Sequence, residues 1–330
     1  MPMASRTTFI AGSAAAALAG GFARPARAAN RVVQVAYFPG VSALPLLVAV
    51  RSGFFAREGL DVIATPTTSS PDLFGKLDTG ALDIGHTSID NPIAYDVGTG
   101  AVTLVNRDFV AFLGVDDGML RLVARPGLTR IADLRGKTLA LDSLKTGFTF
   151  ALLALLETAG LTQADVQMLE FGGTQQRASG LLAGKFDATL VTPPFDLAAN
   201  AAGFMTLARA TDVLGAYQGI GVIARRAWIV ANRDVALRYA RGYLAALAQV
   251  VSDRSGSASL LSSVLNVSPE IAAASYDAAF AAAKGGMLRN AAVDLDGVRT
   301  VLRLRAKYAP PGGGDDPAPY VDSSIRAALR

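Results

Sequence analysis

From Val32 to Phe38 apolar and polar positions alternate, a two-residue period that predicts a strand, and then the period changes. Pro45 stands where a first-turn proline belongs, ahead of Leu46, Leu47, Val50 and Phe54 at helical spacing, and Gly59 stops that helix. Ser70-Pro71-Asp72 is a second helix start: a hydroxyl cap, a proline with no amide to waste, and an acid on the positive end of the dipole. Thr146 to Thr158 reads as a long apolar helix ended by Gly160, and Gln175 to Ala183 as a shorter one. Strand and helix alternate throughout this part of the chain, the pattern of parallel sheets covered by helices.

The pattern is also repeated. LDTGALDIGHTS, starting at Leu77, and LLAGKFDATLVT, starting at Leu181, match Leu77 with Leu181, Gly80 with Gly184, Asp83 with Asp187 and Ser88 with Thr192. Each copy reads as helix end, glycine stop, short strand and hydroxyl-bearing loop. A strand, a small-residue loop and a helix precede each copy, as VVQVAYFPGVSALPLLVAV and TLALDSLKTGFTFALLALL. Two similar α/β lobes follow. In open α/β sheets ligands collect beyond the carboxyl ends of the strands, so two such edges facing each other would make a clamp.

After Gly219 the texture changes. GIGVIARRAW reads as a strand, followed by helices over Arg233 to Ser252, Ser257 to Leu265, Pro269 to Lys284 and Leu295 to Lys307. Pro310-Pro311-Gly312-Gly313-Gly314 is a flexible break before a last short helix. These helices are expected to return and pack on the first lobe.

The amino terminus sets the expected compartment. Arg6, an apolar run from Phe9 to Phe22 and the small-x-small pattern Ala26-Arg27-Ala28 make a secretory leader over residues 1–28, cleaved after Ala28 or Ala29. The run is shorter than the roughly 20 residues of a membrane span. Ser5-Arg6-Thr7-Thr8-Phe9-Ile10 resembles a twin-arginine signal with Thr7 in place of the second arginine, which favours general secretion. The whole chain has 31 basic and 27 acidic residues. Arg6, Arg24 and Arg27 lie in the leader, so the mature part has 31 − 3 = 28 against 27, or +1. Nucleic-acid binding loses its electrostatic basis. No cysteine is present, which excludes disulfides, thiolate metal sites, a thiol nucleophile and a lipid-modified anchor. The expectation is a soluble periplasmic monomer.

PLLVAVRSGFFAREGLDV, KLDTGALDIGHTS, DLRGKTLALDSLKTGFTFALLALLETAGL and AGKFDATLVTPPF resemble, in order, the signature segments of the nitrate/taurine/sulfonate group of ABC-transporter solute-binding proteins. The match covers about Val32 to Ser252, and the closing PYVDSSIRAAL is similar to that group's end. The resemblance implies an α/β type II periplasmic-binding fold, with two Rossmann-like lobes joined by two hinge strands and a ligand cleft between them. It also implies delivery of a small solute to the transmembrane subunits of an ABC permease. The corresponding division is residues 29–118 for the first part of lobe I, 119–220 for lobe II, 221–309 for the return to lobe I and 310–330 for the tail. Hinges would lie near Asp116 to Leu122 and Tyr217 to Val222, where Gly118, Gly219 and Gly221 suit backbone rotation or, equally, ordinary turns.

Ligand contacts are expected from loops at the strand ends. Those of the first lobe are Tyr37, Phe38 and Gly40, then Ser69 and Ser70, then His86, Thr87 and Ser88. Those of the second are Ser143, Lys145, Thr146, Gly147 and Phe148, then Thr174 and Gln175, then Thr192, Pro193 and Phe195. Hydroxyls and free amides at helix starts, with Lys145, suit an organic anion such as a sulfonate or carboxylate, and the aromatic rings could enclose an apolar body. Each residue has a plainer reading. Ser69 and Ser70 are also helix caps, Lys145 a solvated loop cation, and only one of Phe148 and Phe150 can face a cleft. Asp83 and Asp187 sit at helix-to-strand turns and read as structural, and Trp228 as packing. His86, the single histidine, reads as a solute contact or as packing; it has no partners for a zinc site. No metal, cofactor or catalytic residue is expected. An enzyme on the same scaffold, such as a pyrimidine synthase or a cysteine-dependent desulfinase, is disfavoured by the absence of cysteine, and a sensor-associated binding module is the remaining alternative.

Overall fold

The computed structural model describes residues 1, 30–280, 286–309 and 314–329. The leader with its cleavage site, residues 281–284 of the helix expected from Pro269, and most of the Pro310 to Gly314 break lie outside the described residues.

The chain opens with β1 (Arg31–Tyr37), whose apolar face is buried. The expected single helix after Pro45 is two: α1 (Leu44–Arg51) and α2 (Phe54–Arg57). Gly53, in the left-handed region at φ 71°, turns the chain between them before Gly59 is reached. β2 (Leu60–Pro66), α3 (Ser70–Thr79), β3 (Ile84–Ser88), α4 (Asp90–Asp96) and β4 (Phe109–Gly114) follow. Ser69 caps α3, its hydroxyl accepting from the Asp72 amide at 3.3 Å, and proline occupies the first turn.

The chain then crosses to a second unit: β5 (Arg121–Ala124), β6 (Thr138–Leu141), α5 (Gly147–Glu157), β7 (Gln167–Glu170), α6 (Thr174–Leu182), β8 (Ala188–Val191), α7 (Phe195–Ala201), β9 (Met205–Arg209) and α8 (Ala210–Leu214). It returns through β10 (Ile220–Arg225), then α9 (Arg226–Ala231), α10 (Arg233–Ser252), α11 (Arg254–Leu265), α12 (Pro269–Phe280), α13 (Leu295–Tyr308) and α14 (Ser323–Ala327). No described helix is long and apolar enough to cross a membrane.

The strands form two five-stranded mixed sheets of the same design, ordered β2-β1-β3-β10-β4 and β7-β6-β8-β5-β9. In each, three strands run parallel and the fourth is antiparallel to both neighbours. That antiparallel strand, β10 or β5, is the one entered after the chain has crossed from the other sheet. The repeat seen in the sequence is realised atom for atom. Asp83 Oδ2 accepts from the Gln34 amide at 2.9 Å, and Asp187 Oδ2 from the Thr138 amide at 2.8 Å. Each carboxylate thus ties the central strand of its sheet to the neighbour before it, β3 to β1 and β8 to β6. The other oxygen of Asp83 takes the Trp228 indole N–H at 2.8 Å, so this tryptophan is bonded as well as packed.

The carboxyl-terminal helices do not all return to the first sheet. The apolar side of α10 packs on α1 and α2, but Val298, Val301 and Leu302 of α13 join the cluster of Leu152, Leu155 and Leu156 on α5. α5 has a face too apolar to leave in water, and α13 is amphipathic enough to cover it. This corrects the expectation that the whole segment packs on the first lobe.

Candidate functional site

The carboxyl ends of β1, β3, β6 and β8 converge on a cavity of about 80 Å³ whose lining comes from both sheets and from the two crossings. On the measure by which one water needs roughly 10–15 Å³, it has room for a small solute. Twelve of the expected residues line it: Tyr37, Phe38, Gly40, Ser70, His86, Thr87 and Ser88 from the first unit, and Thr146, Gly147, Phe148, Thr174 and Thr192 from the second. The other six lie elsewhere. Ser69, Ser143 and Lys145 line a neighbouring hollow of about 370 Å³, and Gln175 borders a third, on the far side of α6. Pro193 and Phe195 line none of the three. Phe195 is buried in the small core between α6, α7 and its sheet, where an aromatic ring is worth more than at the cleft. Pro193 contributes its carbonyl, which accepts from the Val41 amide at 3.2 Å and so joins the two units.

His86 is placed on strand β3, not in a loop. Only 2% of it is exposed, and its Nε2 lies 2.7 Å from the Tyr239 hydroxyl. Burial pulls its pKa down to about 3, so the ring is neutral. Its Nδ1 has no hydrogen-bond partner among the described residues.

Sequence reasoning missed several lining residues. Asn91, one turn past Thr87, donates to the Thr87 hydroxyl at 2.8 Å and to the Ser70 hydroxyl at 3.1 Å, which orients both towards a fixed pattern. Tyr217 is fully buried at the return crossing, and its hydroxyl has no partner among the described residues. Asp116, at the first crossing, takes the Ser42 hydroxyl at 2.7 Å and the Gly118 and Ile220 amides at 3.1 and 3.2 Å. One carboxylate thus ties both crossings together, and burial raises its pKa to about 6. Gly219 is required beside it, because a β-carbon there would overlap the Asp116 oxygen. The signal available in the sequence was only that Asp116 and Tyr217 flank the expected hinges.

The charged groups do not match the expectation of an anion. Arg177, the one cation lining the cavity among the described residues, is fully buried and spent on Thr189, Gly172, Thr174 and Leu190 oxygens, with Asp142 at 4.0 Å. At the start of α5 the Gly147 amide donates at 2.6 Å to Asp90 Oδ2, a carboxylate from the first unit. Asp90 is in turn held by Arg305 of α13, Nε to Oδ1 at 3.0 Å and Nη2 to Oδ2 at 2.6 Å, with both side chains fully buried. Burial pushes the Asp90 carboxyl up, and Arg305 and the Gly147 amide pull it back. The net direction is upward, and the two-point guanidinium contact is what favours the charged form. Lys145 lies outside the cavity and the Gly147 amide is taken by Asp90, while the expected hydroxyls of Ser70, Thr87, Ser88, Thr146, Thr174 and Thr192 line it, so only part of the basis for an anionic solute is in place.

A family model described as the NMT1-like family matches residues 26–266. A comparison with curated protein sequences finds no match. Among solved structures, the periplasmic nitrate-binding protein of Synechocystis PCC 6803 superposes with TM-score 0.75 at 13% identity, over 91% of this chain and 88% of that one. The ligand-binding component of an ABC-type import system from Staphylococcus aureus gives 0.75 at 14% identity, over 91% and 99%. The alkanesulfonate-binding protein of Xanthomonas axonopodis pv. citri, bound to MOPS, gives 0.72 at 18%, over 90% and 99%. These likenesses establish the type II periplasmic-binding fold.

Proposed function

The chain belongs to the NMT1-like family, and from that premise we propose that it is an extracytoplasmic solute-binding protein of an ABC importer. One observation carries the reading: a small cavity is lined from the carboxyl edges of both sheets at once. Each sheet with its helices is a lobe, residues 29–118 opening lobe I, 119–220 forming lobe II and 221–309 returning to lobe I save for α13, which covers α5 of lobe II, and the crossings at Gly118 and Gly219 are the hinges. Solute contacts from both lobes exist together only when the lobes are closed, so binding shifts the population towards the closed form. The permease then recognises the closed pair of surfaces. The leader directs the chain to the periplasm, where a monomer works with its permease.

A thermal-shift screen of the chain starting at Ala29 tests this, using sulfonates, taurine, nitrate, aromatic carboxylates, pyrimidines and riboflavin. A ligand at a hundredfold excess over its Kd adds about 2.7 kcal/mol, a few degrees in Tm for a protein of this size. A hit recovered unchanged supports a binding protein, and a hit that is chemically converted replaces that reading with an enzyme.

A further inference from the structure

Besides two tyrosines, His86, Asp116, Asp142 and Arg177 line the cavity among the described residues, and their balance is negative. Asp142 is matched by Arg177, and His86 is neutral. Asp116 has no cation against it: its hydrogen-bond partners are one hydroxyl and two amides. A carboxylate offers about four lone-pair positions, so one remains to accept a donor from a solute. A second, independent observation points to a ligand in the same cavity. The Tyr217 hydroxyl, fully buried and lining the cavity, has no partner among the described residues, and a buried hydroxyl without one costs free energy that a bound solute would recover.

At the α5 end of the cavity, where the Tyr217 hydroxyl also lies, the protein places a carboxylate of its own. The positive end of the α5 dipole would attract a sulfonate or carboxylate. Here Asp90 sits on it. A β-carbon at residue 147 would lie 2.7 Å from the Asp90 β-carbon and 3.2 Å from the Tyr217 hydroxyl, so glycine is what permits the approach. Arg305 fixes Asp90 from behind and leaves it no freedom to withdraw. A second negative group at this helix start would face a buried carboxylate a few ångströms away.

We propose that Asp90 is a built-in substitute for a ligand anion and a determinant of specificity, so that the solute is a small uncharged or cationic molecule whose donor is read by Asp116 and Tyr217. This rests on the solute-binding reading above. It places the charge discrimination in the protein's own carboxylate, within a fold that in structural neighbours accommodates nitrate or an alkanesulfonate.

The test compares ligands of one skeleton and different charge. The chain starting at Ala29 is titrated with benzoate, benzenesulfonate, benzamide and benzamidine, and with nitrate, and the small molecules that copurify with it are identified by native mass spectrometry. Binding confined to uncharged or cationic species, among the probes or the copurified solutes, is the expected result. Saturable binding of benzoate, benzenesulfonate or nitrate overturns the proposal and leaves the solute-binding reading standing. Silence from every probe together with no copurified solute overturns the solute-binding reading, and the proposal with it. Separately, Asp90→Ala should melt below the wild type and be restored by formate or nitrate at concentrations that leave the wild type unmoved. An Asp90→Ala protein that folds and ignores both anions overturns the role given to Asp90. Should that variant fail to fold, Asp90→Asn removes the charge and keeps the shape. It should show saturable nitrate binding that the wild type lacks, and the same absence of binding overturns the same role.

Discussion

The Gly147 amide donates a 2.6 Å hydrogen bond to the carboxylate of Asp90, although the two residues belong to helices of different units. One is the first residue of α5 and the other the first of α4. The bond therefore spans the cleft at its base, and its strength depends on Arg305, which reaches Asp90 from α13.

Removing Arg305 leaves a buried, uncompensated carboxylate. Arg305→Met should cost about 3–5 kcal/mol in a urea unfolding experiment, and the double variant with Asp90→Asn should recover a large part of that loss. Equal stability of the single variant and the wild type would show that the pair contributes nothing.

Gly147 has no room for a side chain. Gly147→Ala pushes a methyl against the Asp90 side chain and should destabilise by about 1–3 kcal/mol despite the better helix propensity of alanine. The same change at Gly184, where nothing lies within 4 Å but φ is 70°, tests backbone strain alone.

Tyr217→Phe removes a buried hydroxyl that makes no hydrogen bond among the described residues. Thermal stability should hold or rise slightly, while affinity for the solute identified by the screen should fall about tenfold, which calorimetry would read directly. Loss of stability without loss of affinity would mean the hydroxyl serves the fold.

His86 makes the protein acid-sensitive. Its pKa is about 3 when folded and 6.5 when unfolded, so between those values the unfolded chain binds a proton that the folded one does not. Stability is full above 6.5 and falls as pH drops towards 3. From about pH 6.5 to about pH 5 the wild type should lose roughly 2 kcal/mol more than His86→Gln, measured by urea unfolding at each pH.

Asp116 acts in the opposite sense. Its carboxyl is raised from 3.8 to about 6, so the folded state binds the proton first, and stability declines as pH rises through that window. The full cost, on the order of 3 kcal/mol, is present above pH 6 and relieved below about pH 4. Asp116→Asn should lose this component of the pH profile, and an unchanged profile would remove Asp116 from the account.

The equivalence of Asp83 with Asp187 was legible in the chain, and so was their structural role, because both follow a glycine stop at the same distance and such turns repeat a local geometry. Ser69 as a cap and Thr192 at the end of β8 were legible for the same reason. His86 was misplaced by one element: IGHTS carries no turn signal, and only its pairing with Tyr37 and Val222 shows that it lies within a sheet. Phe195 follows two prolines and read as loop, but α7 turns its ring into a core.

By itself the sequence determined the two repeated α/β units, the order of their strands and helices, the sites of crossing and most of the residues near the cleft. These are set by periodicity, glycine stops and caps, which act over a few residues. Only the tertiary structure decided the charge of the cavity. Asp90 and Arg305 are 215 positions apart, and no local pattern can say that a carboxylate beside one sheet will reach the helix start of the other. The pairing arises because α13 covers the apolar side of α5, and that packing carries Arg305 to the buried carboxylate of Asp90.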